Sequence, residues 1–119
     1  ELMIAVAITG ILSSIAIPNY QAFRCRVKQS EAKSNLGAIA TAQESYRIEH
    51  EAYGPSLAII GWGLKGDKVR YDYSITAADG QSFDAQAVSN GNGINGSAGD
   101  DVWTIDEQRL LLNTVNACN

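Results

Sequence analysis

The chain has 119 residues, a formal net charge of −4, two cysteines and a single histidine. That length allows one domain, and the acidic balance argues against a nucleic-acid surface, because phosphate binding is driven largely by clustered Lys and Arg. Two cysteines far apart fit one disulfide in an oxidising compartment and no metal cluster.

The first stretch, ELMIAVAITGILSSIAIPNYQ, is built for apolar surroundings yet opens on a carboxylate. From Leu2 to Ile17 its only polar side chains are Thr9, Ser13 and Ser14, small hydroxyls that can bond back to carbonyls of their own helix. At ~1.5 Å per residue this run covers roughly 24 Å, slightly less than the ~30 Å of bilayer hydrocarbon. Gly10 and Pro18 weaken the helix between them: glycine costs ~1 kcal/mol against alanine, and proline removes one backbone bond and crowds the preceding turn. A kink at Pro18 is the simplest expectation. No start Met is present, so the sequence reads as processed or trimmed.

An acid at the head of an apolar helix, then Gly10, then the Ile17-Pro18-Asn19-Tyr20 that closes it, resembles the N-terminal helix of type IV pilins and of the related pseudopilins of type II secretion. The resemblance is strong over about the first fifth of the chain. It implies that Glu1 docks a subunit by meeting a neighbour's N-terminal amine inside a filament, a partner that a buried charge requires. The bland reading of Glu1 is an acid favoured by the positive end of a helix dipole. The resemblance also implies that the helix between Gly10 and Pro18 unwinds on assembly. The family's short basic leader and its methylated, aromatic N-terminal residue would both lie before Glu1.

Arg24, Arg26 and Lys28 follow at once and read as a collar where the helix leaves its apolar core, although the positive-inside rule alone would hold this end in the cytoplasm. The pattern from Cys25 to Glu51 is helical, with Ala32, Leu36, Ile39, Gln43, Tyr46 and His50 recurring at three and four. Cys25 faces the same side as Leu36, since eleven residues at ~100° each bring them within roughly 20°. A bond from Cys25 to Cys118 is therefore favoured over a bridge between subunits or two free thiols, though pilins with a disulfide usually carry both cysteines in the C-terminal half. Tyr53-Gly54-Pro55 is expected to end the helix. Residues 57 to 65 should fold back over it without regular structure. Tyr71 to Ala77 and Ser82 to Val88 alternate as strands around an Asp79-Gly80 turn signal, residues 89 to 101 are loop by composition, and Val102 to Ile105 pairs with Arg109 to Thr114. The expected fold class is α+β: one long N-terminal helix, kinked or melted near Gly10 to Pro18, packed on a small antiparallel sheet of three to four strands. The expected division is 1–24 as membrane span or filament core and 25–119 as the globular head.

Chemistry is hard to find. His50 has only Glu49 and Glu51 beside it, and adjacent helical residues do not face each other, so a packed or solvated histidine is expected and no catalytic residue or enzyme activity. The 89–101 loop could offer oxygens to calcium, as major pseudopilins do, but its spacing does not match a calcium loop. No metal or other cofactor is expected. Asn95-Gly96-Ser97 fits the N-glycosylation triplet, which is also ordinary turn chemistry. Tyr20, Phe23 and Tyr46 read as aromatic core packing rather than an electron path.

The function that the resemblance implies is that of a structural subunit of a bacterial type IV pilus. Its apolar helix would wait in the inner membrane and then, driven by a pilus assembly machinery, bundle with identical copies into an extracellular filament for adhesion, motility or uptake. The alternatives are a type II secretion pseudopilin and a membrane-anchored binding module.

Overall fold

The computed structural model describes residues 1–66, 68–91 and 93–118. One helix, α1, runs from Leu2 to His50, and the molecule measures 73 × 26 × 20 Å, its long axis being that of a 49-residue helix. Two hydroxyls in the first part of α1 bond within the helix: that of Thr9 donates to the Ala5 carbonyl at 2.9 Å and that of Ser14 to the Ile11 carbonyl at 2.7 Å. The helix is unbroken through Gly10 and Pro18, so no melted stretch exists in the single chain. Proline deletes one backbone bond, and a lone helix has no neighbour whose packing would compensate for losing several more.

The C-terminal stop differs from expectation. Glu51, at φ 58°, is the left-handed residue, and its N–H closes on the Arg47 carbonyl at 2.8 Å. Gly54 plays another part. Its carbonyl accepts from Gln43 Nε2 and its N–H donates to Gln43 Oε1, both at 2.8 Å, so a fully buried glutamine side chain pairs with the backbone like a strand neighbour. A Cβ at Gly54 would collide with Ile60 Cγ2. Glycine is needed there for close approach, not for a left-handed turn.

Four strands follow, β1 (Tyr71–Ala78), β2 (Phe83–Ser89), β3 (Val102–Asp106) and β4 (Leu111–Val115). They form one antiparallel sheet in the order β1-β2-β3-β4, a meander built of local connections. Strand β2 buries every second residue, Phe83, Ala85, Ala87 and Ser89, the period expected of a sheet with one face on the core. An irregularity between Ile75 and Ala77 in β1 shifts the register, so that Ala78 rather than Ala77 is the half-buried residue at the strand end. In the first turn the Asp79 carboxylate accepts from the N–H groups of Gln81 and Ser82, each at 2.7 Å. Gly80 has no positive φ, so the side chain of Asp79 makes this turn. In the second turn Asp106 acts likewise, accepting from Gln108 and Leu110 N–H. Arg109, expected in the last strand, sits in this turn at φ 59°, and β4 begins two residues later.

The helix lies over β2 and β3. Ala32, Leu36, Ile39 and Ala40 face Tyr71, Phe83, Ala85, Ala87, Trp103 and Ile105 in one core, which Leu57, Ile60 and Trp62 of the irregular segment cover from the side. The stripe on α1 is shorter than its sequence pattern: Tyr46 is half-buried and His50 exposed, the two rings stacked at 4.0 Å on the helix surface. Tyr20 and Phe23, read as core, are 61 % and 64 % exposed, because the head does not reach that far down. Replacing Gly54 with Ala should cost about 1–3 kcal/mol through forced displacement of Ile60 and loss of the Gln43 pairing, measurable as a lower Tm of the detergent-solubilised full chain.

Candidate functional site

From Glu1 to Arg24 all residues of the helix but the half-buried Ser13 are exposed, including Leu2, Met3, Ile4, Val6, Ile8, Ile11, Leu12, Ile15 and Ile17. A soluble monomer rarely shows an apolar patch of more than a few hundred Å², and this surface encircles the whole rod. Helix and hydropathy are sufficient for a membrane crossing. Glu1 is the N-cap residue: its carbonyl accepts from Ala5 N–H at 3.1 Å, while its side chain caps nothing.

The collar lies where the head begins. Cys25 and Cys118 are bonded, with Cα atoms 5.8 Å apart, which returns the C-terminal end of the sheet to the base of the head. Lys28 Nζ donates to the Ile94 carbonyl at 3.2 Å, and the Arg24 guanidinium stands over the Tyr20 ring at 5.9 Å. Asn95 is exposed, its side-chain amide donating to the Ala117 carbonyl at 3.0 Å. Cys25, Lys28, Asn95 and Cys118 therefore meet in space, whereas Glu1, Gly10 and Pro18 are spread along the exposed rod.

What fixes this meeting is Asp101, fully buried at the start of β3. Its Oδ1 accepts from Gln29 Nε2 at 2.9 Å and Ala117 N–H at 3.1 Å. Its Oδ2 accepts from Tyr71 OH at 2.5 Å and Trp103 Nε1 at 2.8 Å. Among the described residues no Lys or Arg forms an ion pair with it, so its charge is held by dipoles alone. Burial by itself would raise the carboxyl's pKa, but the bonds from Tyr71, Ala117, Gln29 and Trp103 together outweigh that and hold it below the usual carboxylate range. Tyr71 is pushed far up by burial and then by its bond to Asp101, and burial also raises Tyr73, to about 12.

The neighbouring loop is ordered by the same means. Asp100 accepts from Ser89 Oγ at 2.5 Å and Asn95 N–H at 2.8 Å, Ile94 is buried, and a Cβ at Gly93 would stand 2.7 Å from the Asn90 carbonyl. Both carboxylates thus serve the loop's own fold. Among the described residues no group of three or more His, Cys, Asp or Glu is placed to hold a metal ion.

Residues 29–116 match the family model described as type IV pilin-like G and H. The chain belongs to the type IV pilin family. This pilin is 50 % identical over 80 residues to the type IV major pilin protein PilA of Myxococcus xanthus, covering 67 % of this chain and 36 % of that protein. It is 41 % identical over 86 residues to the type IV major fimbrial protein FimA of Dichelobacter nodosus, covering 69 % and 54 %. It is also 32 % identical over 104 residues to the type IV wide pilus major component PilA4 of Thermus thermophilus, covering 87 % and 73 %. The matches thus span about a third and about half of the first two relatives. The crystal structure of the non-core minor pilin PilV of Neisseria meningitidis superposes with a TM-score of 0.61 over 80 % of this chain and 91 % of that one, at 18 % identity, a likeness of fold.

Sequence reasoning missed Gln29 and Asp101. Gln29 lies two heptads before Gln43 on the same side of the helix, and the pair of amides on an otherwise apolar stripe was the available signal. Asp101 sat in a run of loop residues and carried none. Asp101→Asn would turn an N–H₂ toward two donors and should destabilise the pilin by about 2–4 kcal/mol, read from chemical unfolding in detergent. The folded-state pKa lies below the unfolded value of ~3.9, so the stabilisation by this carboxylate is complete above about pH 4 and is lost as pH falls through the folded pKa. The difference in stability between wild type and Asp101→Asn should accordingly be flat from pH 7 to about pH 4.5 and shrink below.

Proposed function

We propose that this pilin is a structural subunit of a type IV pilus, held in the inner membrane by residues 1–24 and then polymerised by the pilus machinery, with 25–119 as the head on the filament surface. The observation that carries this is the exposed half of α1. An apolar rod, uncharged from Leu2 to Phe23, with no partner among the described residues must be covered by lipid or by other copies, and burial of apolar area at ~25 cal/mol per Å² makes either strongly favourable. The names of the relatives, a major pilin, a major fimbrial protein and a wide pilus major component, support the same reading. The role is mechanical: the collar and the buried carboxylate serve to fix a head to a rod.

Within the filament, Glu1 would meet the N-terminal amine of a neighbour. Its side chain caps nothing in the single chain, which supports this role. The stretch from Gly10 to Pro18 would unwind there, exchanging weak intrahelical bonds for packing between subunits and letting the filament extend. Cryo-electron microscopy of filaments sheared from producing cells tests the proposal: this chain should occupy every position, with Glu1 to Arg24 inside and the sheet outside. A detergent-stable monomer that forms no filament would refute it. Glu1→Ala should abolish filaments while leaving the amount of chain in the membrane fraction unchanged. A continuous α-helix across residues 11 to 17 in the filament map would reject the unwinding.

A further inference from the structure

A cleft of about 230 Å³ opens between the collar of α1 and the loop beside it, lined by Gln21, Arg24, Cys25, Lys28, Ile94 and Asn95. Its charged side chains are both cations, and no Asp or Glu lines it. Arg24 takes part in no ion pair among the described residues; it rests over the Tyr20 ring, with its planar fork of N–H donors unopposed by any acid. Lys28 gives one bond to the Ile94 carbonyl and keeps two more donors. Asn95 and Gln21 add amide N–H groups. The walls are fixed to each other, because Cys25 is bonded to Cys118 and Asn95 to Ala117, so the donors are organised before any ligand arrives.

The height of this cleft along the helix identifies its occupant. Arg24 is the first charged side chain after Glu1 and, at ~1.5 Å per residue, stands roughly 33 Å from Leu2, while Lys28 stands roughly 39 Å away. A hydrocarbon layer of ~30 Å that begins at Leu2 ends just below Arg24, and the cleft falls in the headgroup layer above it. Exposed Tyr20 and Phe23 lie at the boundary, where aromatic side chains of spans gather. Cations on the head side run against the usual loop bias of such spans, a bias that a phosphate contact on that side would offset. Arginine matches a phosphate bidentately and lysine as a point charge.

We propose that the cleft of Gln21, Arg24, Lys28 and Asn95 binds the phosphate of an anionic lipid headgroup in the leaflet facing the head, orienting the pilin monomer before assembly. This rests on the membrane-resident state described above. The test reconstitutes the full chain into lipid nanodiscs of phosphatidylcholine alone or mixed with phosphatidylglycerol and counts the lipids retained on the protein by native mass spectrometry. Phosphatidylglycerol should be retained over phosphatidylcholine by roughly tenfold. Arg24→Gln and Lys28→Gln should each alone cut that preference severalfold and together bring it close to unity, while Arg26→Gln, which removes the same single charge at the same level but outside the cleft, should leave it. Helical circular dichroism and the intact disulfide verify that each variant is folded. Loss of preference in R26Q as large as in R24Q would overturn the site in favour of diffuse attraction. Inorganic phosphate retained on the protein in phosphatidylcholine nanodiscs and lost in the double variant, with no preference for phosphatidylglycerol, would show a free-anion site and overturn the lipid assignment. Insertion without any preference would refute this inference alone, whereas failure to insert in either nanodisc would refute the membrane-resident state with it.

Discussion

The buried carboxylate of Asp101 is the constraint on which the head depends. A single ion without a counter-ion is the most costly thing to place in an apolar interior, so its four donors must all be delivered to one point. They come from four places: Gln29 on the helix, Tyr71 at the start of β1, Trp103 on β3 and the backbone of Ala117 after β4. Hydrophobic packing of the sheet on α1 tolerates sliding by a fraction of a turn. The carboxylate does not, and it sets the register of sheet against helix at the collar as the Gln43–Gly54 pairing does at the other end.

Around this point the covalent and the polar restraints reinforce each other. The Cys25–Cys118 bond closes 93 residues of separation, which in the chain-entropy account removes on the order of 4–5 kcal/mol of freedom from the unfolded chain. It anchors the residue next to Ala117, whose N–H is one of the four donors. The same tail accepts from Asn95, so the loop, the tail and the base of the helix form one rigid collar. Rigidity here has a mechanical sense, since any force carried by the exposed rod enters the head through these few residues.

The two halves of α1 solve opposite problems with one element. Above the collar a stripe from Gln29 to Gln43 is covered by the chain's own sheet. Below it the apolar surface is continuous around the helix and none of the described residues covers it. In the proposed function the lower half passes from lipid to the company of other copies without a change in its own sequence, and low charge with small hydroxyls suits both surroundings. The helix persists through Gly10 and Pro18 in the single chain, where Thr9 and Ser14 turn their hydroxyls back onto carbonyls of the same helix.

Much of this was legible in the residues themselves. The uncharged run after Glu1, the three-and-four spacing of Ala32, Leu36 and Ile39, and the alternation of Phe83, Ala85 and Ala87 each depend on a local period, and a local period determines which face of a helix or strand is apolar. The α+β class follows from those periods, and the family resemblance came from the first fifth of the chain. What only the tertiary structure decided involves partners far apart in sequence. Glu51 rather than Gly54 stops the helix because Gln43 and Ile60 claim Gly54. Tyr20 and Phe23 are exposed because the head ends above them. Asp101, one of two adjacent acids closing a stretch rich in Asn, Gly and Ser, became the centre of the head because the fold brings it donors 72, 30, 2 and 16 residues away. No window of sequence contains that coincidence, and the cost of burying a charge is set by what surrounds it in space.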